Sequence, residues 1–592
     1  MCGFIASFGF EFKKDDFKDA LEHLARRGPD SEGIWSDKDI FLGSRRLAIF
    51  DLNIRSNQPM ISLCERYVIV FNGSIYNYKE LRNYLISKNI KLKTQSDTEV
   101  LLELYSLEGN KMLNKLKGMF AFVIWDKKNK ELFAARDPYG IKPLYIGLND
   151  NGVILASQVK TIISTKFIDQ EEDLYSQFSF YNFGFVIEPR TWFKNIKSLK
   201  PGFFIKVKDP NNIIETSWYN FNKNWVNADD PRSKKEKLLK EKIIKSITNS
   251  VERHLISDVP IGIFLSSGVD SSLLAGIASQ KTKKKIKAIT VSFEEFENSD
   301  YNEISKAKKI AKRFGLEHHI FKVTKEDFKK DLPDILKAMD QPTIDGINVW
   351  YASKAAAKLN LKVVFSGLGG DELFFGYNHF KTIPLLFKLN NYIKKIPILS
   401  RLYTLVLKII SKIKRDKRIK EVTKSKSILD LLILKRTIIH SSDIVKNKAI
   451  LKEISKGFYE KTFNKHENHI FLNKKIFLSN LESIYYLRNQ LLRDSDWASM
   501  YHGVELRTPL VDITLLEELS DLMSEYSNFS GKKVIKSSFS NILTRELNSK
   551  QKIGFQTPVK EWIKDISNYN FSKQNNYWYN YMELVSNSIN KK

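Results

Sequence analysis

Residues 261–274 read IGIFLSSGVDSSLL, an apolar run interrupted by a Ser/Gly turn that leads directly into a second apolar pattern. An uncharged run at 261–265 suits a strand buried on both faces, and Leu273 and Leu274 suit the inner side of a helix opened by the turn. The pattern continues downstream: a strand at 288–293 precedes a helical stretch at 303–314. A helix at 350–359 leads into a strand at 361–365 and a second Gly-rich turn, SGLGGDE (366–372). With a further helix at 236–256, this alternation predicts a doubly wound parallel sheet covered by helices on both faces. Such sheets bind ligands beyond the carboxyl ends of their strands, where both turns fall.

Upstream the pattern differs. Short apolar or β-branched runs at 4–10, 68–71, 120–125 and 132–135 are bounded by Gly, Asn or charged residues, and helical periodicity appears at 17–25 and 97–107. A polar stretch at 208–235 follows, so the expected layout is one domain over 1–210, a linker over 211–235 and a second domain over 236–592. A chain of 592 residues with 42% hydrophobic residues is long enough for two or three cores. The first residues show neither a basic start nor a long apolar region. With only Cys2 and Cys64 there is no disulfide framework, and a cytoplasmic protein is expected. The net charge of +28 is uneven: residues 1–210 carry +5, the remainder +23, and 381–440 alone +13. No nucleic-acid-reading module accompanies that patch, so no nucleic-acid partner is expected.

Cys2 is the first chemically informative residue. Removal of Met1 gives it both a nucleophilic sulfur and a free α-amine, whose usual pKa of about 7.7–8.0 lets it act as a base near neutrality. Behind it, in order, come RRGPD (26–30), RRLAIFD (45–51), QPM (58–60), FNGSIYNY (71–78), SDTE (96–99), GMFAF (118–122) and ARDPYGIKPLY (135–145). Over about the first 200 residues this series resembles the class II glutamine amidotransferase domain, an N-terminal-nucleophile glutaminase with an αββα sandwich of antiparallel sheets. The resemblance implies that Cys2 attacks the glutamine amide to form a thioester, with Asn72 and the Gly73 N–H as the oxyanion hole. It further implies that Arg46 holds the α-carboxylate and Asp97 the α-ammonium. Two positions depart from the family pattern: its Glu after Asn-Gly is Ser74 here, and its His before Arg-Gly-Pro-Asp is Arg26.

The turn at Ser266–Ser272 offers N–H groups and hydroxyls to phosphate oxygens at a helix N-terminus, but lacks the Lys of a γ-phosphate loop. It resembles the pyrophosphate loop of enzymes that cleave ATP between its α and β phosphates, in the adenine-nucleotide α-hydrolase type of fold. Ser266, Ser267, Gly268, Asp270 and Ser271 are then candidate ATP-binding residues, with Ser366 and Gly367 from the second turn. Asp270 and Asp371 are placed to share a Mg²⁺ carried by pyrophosphate oxygens. LLRDSDWASMYHGVELRTPLVD (491–512) and KQKIGFQTPVKEW (550–562) extend the resemblance to the glutamine-hydrolysing asparagine synthetase family over nearly the whole chain. It implies adenosine contacts at Leu265 and Val291, and a lysine at Lys552 that steadies the reacting phosphate and carboxylate.

The expected substrates are thus glutamine, ATP and a carboxylate acceptor. Aspartate is the first choice, and another carboxylate, such as a uronic-acid sugar, is the second because Leu368 stands where asparagine synthetases often carry Glu. A scaffold homologue without activity is the rival from another class. Residues 398–413 (ILSRLYTLVLKIISKI) place Leu399, Leu402, Tyr403, Val406, Ile409, Ile410 and Ile413 on one helical stripe ahead of the basic run KRDKRIK. Two readings stand: a helix packed on the synthetase core with a solvated tail, or a membrane-surface contact through 398–420. Homodimerisation is left open.

Overall fold

The structure, a computed structural model, describes residues 2–210, 212–228, 236–297, 299, 302–447, 451–463, 473–529, 532–544, 557–564 and 577–589. In the N-terminal domain two six-stranded sheets lie face to face. One runs in the order Ile196–Ser198, Tyr145–Asn149, Gly152–Ala156, Cys2–Phe8, Ile40–Arg46, Ser31–Asp37. The other runs Asn212–Ser217, Phe203–Asp209, Glu131–Arg136, Gly118–Asp126, Tyr67–Ile75, Met60–Ile61, and neighbouring strands in both sheets are antiparallel. Phe4, Leu42, Val68, Val70, Ala121 and Val123 fill the space between the sheets. Helix Lys14–Glu22 covers the outer face of the first through Phe17 and Leu21, and helix Asp97–Glu108 that of the second through Leu101 and Leu104. Coverage on both faces explains why Cys2–Phe8 and Tyr67–Ile75 are buried along their whole length and do not alternate in polarity. The αββα sandwich expected from the sequence is present.

The C-terminal domain holds a five-stranded parallel sheet in the order Glu317–Val323, Lys287–Phe293, Ile261–Phe264, Val363–Phe365, Glu505–Arg507. The direction of strand progression reverses between Ile261–Phe264 and Val363–Phe365. The two Ser/Gly turns follow these two strands, so both open at the switch point. Two of the five strands are not legible as strands in the sequence. Glu317–Val323 (EHHIFKV) is a half-exposed edge, and Glu505–Arg507 is three residues long with two charges buried against each other.

The linker expected at 211–235 is corrected by the structure. Residues Asn212–Ser217 pair with Phe203–Asp209 as an exposed edge strand, and Phe221–Ala228 is a helix whose Trp225 is fully buried in the core. Polar composition here marks an edge strand with one face in water. Within the range, residues 211 and 229–235 lie outside those described.

The domains are joined by buried charge. Both terminal nitrogens of Arg27 donate to the Asp496 carboxylate, at 2.6 and 3.2 Å, and Lys142 Nζ reaches the same group at 3.3 Å. Burial raises the Asp496 pKa, but Arg27 and Lys142 outweigh it and hold the carboxyl below its ordinary value. Nearby, the Asp340 carboxylate accepts the backbone N–H groups of Val159 and Lys160 at the start of helix Val159–Ser164. Three of the quoted sequence motifs, RRGPD, ARDPYGIKPLY and the RDSDWASM stretch, therefore meet at this lock. Asp496→Ala leaves two buried cations without a counter-charge, and a loss of about 3–5 kcal/mol is expected. Urea unfolding followed by tryptophan fluorescence checks it: the transition should move to lower urea, whereas Arg55→Ala, at a half-exposed ion pair with Asp51, should shift it far less.

Candidate active sites

Cys2 opens the first strand of its sheet and is buried, directly across from Arg46 in the antiparallel register. Asn72 comes from the facing sheet. The Cys2 backbone N–H donates to Asn72 Oδ1 at 3.4 Å, which places the nitrogen that becomes the α-amine beside the same side chain. Asn72 Nδ2 is buried and has no hydrogen-bond partner among the described residues. An orphaned donor of this kind is costly unless a ligand oxygen completes it. The next residue must be glycine: a Cβ on Gly73 would lie 2.2 Å from the Met119 carbonyl oxygen.

Gln58 was quoted in the sequence only as part of a motif, and the structure gives it a place at the sulfur. Its Nε2 donates to Cys2 Sγ at 3.7 Å and to Thr98 Oγ1 at 3.3 Å, while its Oε1 accepts from Phe71 N–H at 2.6 Å. Arg46 lies beside the site, but both terminal nitrogens are engaged. They donate to the carbonyls of Phe50, Asp51 and Asn53 and to Asn57 Oδ1, so the guanidinium braces the 50–57 loop. Asp97 begins helix Asp97–Glu108, where the Ser96 hydroxyl caps the helix by accepting Glu99 N–H. Its carboxylate accepts Ile75 N–H at 3.0 Å, and burial pushes the carboxyl up to about 6.

Ser74 does not leave a gap where the family carries Glu. Its hydroxyl donates to both oxygens of Glu505, at 3.0 and 3.1 Å, so an acid from the synthetase domain reaches the position from across the interface. Burial raises the Glu505 pKa, yet the Arg507 guanidinium that donates to it, helped by Lys142, more than offsets this and holds it low. Glu505 carries no signal of this in the sequence beyond its membership of a motif.

In the second site the loop after strand Ile261–Phe264 is tied by its own hydroxyls. Ser266 and Ser271 Oγ lie 2.9 Å apart, and Gly268 N–H donates to Ser266 Oγ at 3.1 Å before helix Val269–Lys281 begins. Ser267 Oγ donates to Glu303. Leu265 and Val291 are buried at neighbouring strand ends. The two turns touch: a Cβ on Gly367 would meet that of Asp270 at 2.8 Å, and one on Gly370 would meet Asp270 Oδ1 at 2.5 Å. Ser366 N–H donates to the Arg507 carbonyl, which fixes the second turn to strand Glu505–Arg507.

The carboxylates of Asp270 and Asp371 both contact Lys532 Nζ, the latter at 2.7 Å. Lys532 is a residue the sequence reading missed; the Gly531-Lys532 pair ahead of helix Lys533–Ser538 is the signal that could have found it. Two carboxylates drawn to one cation form a donor set that suits a hard, oxygen-seeking ion. Lys552 lies outside the described residues. Leu368 packs against the cluster of Ile289, Val364 and Leu506, so an apolar contact replaces any acid there. Glu372, the second acid after it, is buried, accepts from Tyr377 Oη at 2.7 Å and is pushed up to about 7 by burial.

Comparison with known proteins follows the same division. The glutamine amidotransferase domain family matches residues 1–219, and the asparagine synthase family matches residues 242–577. Asparagine synthetase [glutamine-hydrolyzing] 1 of Bacillus subtilis is 31% identical over 96% of this chain and 89% of its own length. A putative asparagine synthetase [glutamine-hydrolyzing] of Mycobacterium bovis is 29% identical over 92% of this chain and 84% of its own. One from Methanocaldococcus jannaschii is 32% identical over 64% of this chain and 76% of its own. With a thiol at the head of one domain, converging acids in the other and both family matches in this order, the chain belongs to the glutamine-hydrolysing asparagine synthetase family.

Proposed function

We propose that the chain transfers the amide nitrogen of glutamine to the side-chain carboxylate of aspartate at the expense of ATP. The observation that carries this reading is strand Glu505–Arg507. Glu505 holds Ser74 beside the oxyanion residues, while the Arg507 carbonyl holds Ser366 in the nucleotide turn, so one three-residue strand touches both sites.

At the first site the Cys2 sulfur adds to the glutamine amide carbon, its proton passing to the α-amine. The developing oxyanion is received by Asn72 Nδ2 and Gly73 N–H; the α-ammonium returns the proton to the amide nitrogen, and collapse expels ammonia and leaves a thioester that water then hydrolyses. Asp97 attracts the substrate ammonium, and Arg46 gives the 50–57 loop the positive potential that draws the α-carboxylate. At the second site the acceptor carboxylate attacks the α-phosphorus of ATP. Pyrophosphate leaves, and ammonia then displaces AMP from the acyl-adenylate to give the amide. Ser266–Ser272 and Ser366 hold the nucleotide, and Lys532 neutralises charge on the departing pyrophosphate. Asp270 and Asp371 are the residues that would hold Mg²⁺, whose charge would stabilise the leaving pyrophosphate. Keeping ammonia inside the protein matters because in bulk water near neutrality it is mostly protonated.

ATP–pyrophosphate exchange across a panel of carboxylates tests the acceptor. Exchange stimulated by aspartate is expected; exchange stimulated only by another carboxylate would replace aspartate in this reading.

Two titrations shape glutamine use. The Cys2 α-amine, with its ordinary pKa of about 7.7–8.0, must be neutral, and Asp97, with its carboxyl at about 6, must be ionised. Both protonate as the pH falls. Glutaminase kcat/KM should therefore decline with a slope of about one per pH unit below 7.5, and about two below 6. Asp97→Asn should lower the whole profile and keep only the first slope; an unchanged second bend would assign it to another group.

A further inference from the structure

We propose that the helical pair His379–Lys394 and Pro397–Ile413 is a docking face for an anionic lipid surface, on which the enzyme lies without crossing it. Residues 385–413 supply eleven of the twenty-two large hydrophobic side chains that are exposed among the described residues, although they are a small part of the chain. Leu385, Ile398 and Ile413 are 67%, 73% and 76% exposed.

Their arrangement is ordered. At 3.6 residues per turn, Ile398, Leu402, Leu405, Val406, Ile409 and Ile413 fall within an arc of about 120°. The half-buried Ser400, Tyr403, Thr404, Leu407 and Ile410 fall on the opposite side, and only Ser411 is fully buried. The helix therefore rests on the protein by its more polar side and turns its apolar stripe to solvent. The stripe expected from the sequence is corrected in two places: Tyr403 and Ile410 turn toward the protein, while Leu399, Leu402, Val406, Ile409 and Ile413 face solvent. Arg401, Lys408 and Lys412 flank the stripe along one edge. The preceding helix repeats the pattern: Phe380 and Ile383 are buried inward, while Leu385, Leu389 and Tyr392 point out at spacings of four and three.

Charge decides the occupant. From Leu373 to Arg415 the sequence contains nine Lys or Arg and no Asp or Glu. A second copy of the chain laid on this face would oppose those cations with an equal set, whereas an anionic leaflet neutralises them while its acyl region takes the apolar stripe. No described helix is long and apolar enough to cross a membrane, which is consistent with an in-plane orientation.

The test is co-sedimentation of the full chain with vesicles of phosphatidylcholine alone or of phosphatidylcholine and phosphatidylglycerol at about 7:3. Partition at least about tenfold greater on the anionic vesicles is expected, reduced by salt. Leu402→Asp/Val406→Asp/Ile409→Asp should abolish it, and Arg401→Gln/Lys408→Gln/Lys412→Gln should remove the preference for anionic lipid. Both variants should keep wild-type glutaminase activity, which serves as the check on folding. Absence of wild-type binding, or equal binding by the triple Asp variant, would overturn the proposal. So would a wild-type oligomer in sedimentation velocity that the Asp variant disperses without any vesicle binding, which would make the face a self-association surface.

Discussion

Cys2→Ala is expected to lower glutamine-dependent amide synthesis by at least about a thousandfold while ammonia-dependent synthesis stays within about twofold of wild type. The first half follows because no other thiol serves this site: Cys64, the second cysteine, is exposed. Asn72, Gly73 and Gln58 can polarise the amide but form no covalent bond. The second half follows because the synthetase residues are carried by a different sheet, joined to the glutaminase by side-chain contacts that leave Cys2 aside: Arg27 and Lys142 with Asp496, and Ser74 with Glu505. Parallel assays with glutamine and with ammonium chloride measure both. Loss of both activities in a folded variant would mean that the division of labour is misassigned.

Asp371→Asn should reduce ATP–pyrophosphate exchange by at least about a hundredfold and leave glutamine hydrolysis close to wild type. The carboxylate is held where a Cβ on Gly376 would lie 2.0 Å from it, so its position is built into the backbone. Together with Asp270 it faces Lys532, and the substitution removes one of the two negative charges that gather positive charge on the pyrophosphate side of the site. The isosteric amide keeps the volume, which separates loss of charge from loss of packing. Exchange at the wild-type rate would show that Asp371 serves only to hold Lys532.

The features legible in the sequence share a physical reason. Strands buried on both faces, such as Ile261–Phe264 and Tyr67–Ile75, are apolar runs wherever they sit, and the turn between Phe264 and Val269 needs small polar residues whatever it binds. Cys2, Asn72, Asp270 and Asp371 stood out because their chemistry is concentrated in short motifs. What stayed hidden depends on the meeting of distant segments. Glu505 reads as a charged residue in a polar stretch until the fold carries it to Ser74, 431 residues away. Lys532 is one of many lysines until it reaches Asp270 and Asp371. Arg46 looked free to clamp a substrate, and the loop carbonyls that occupy it are a tertiary feature. The edge strand Asn212–Ser217 read as linker because its side chains are mostly in water. The stripe at 398–413 was visible as a period, but the period alone does not say which way it faces.

The central claim is that one chain moves nitrogen from glutamine to aspartate through an adenylate. Incubation with glutamine labelled with ¹⁵N in its amide, unlabelled aspartate and ATP, followed by mass spectrometry and nucleotide analysis, tests it most directly. The account predicts asparagine carrying the label in its side-chain amide, formed in step with AMP and pyrophosphate when glutamine is the sole nitrogen source. Glutamine consumed without labelled asparagine being formed, or turnover that yields ADP and phosphate, would contradict it.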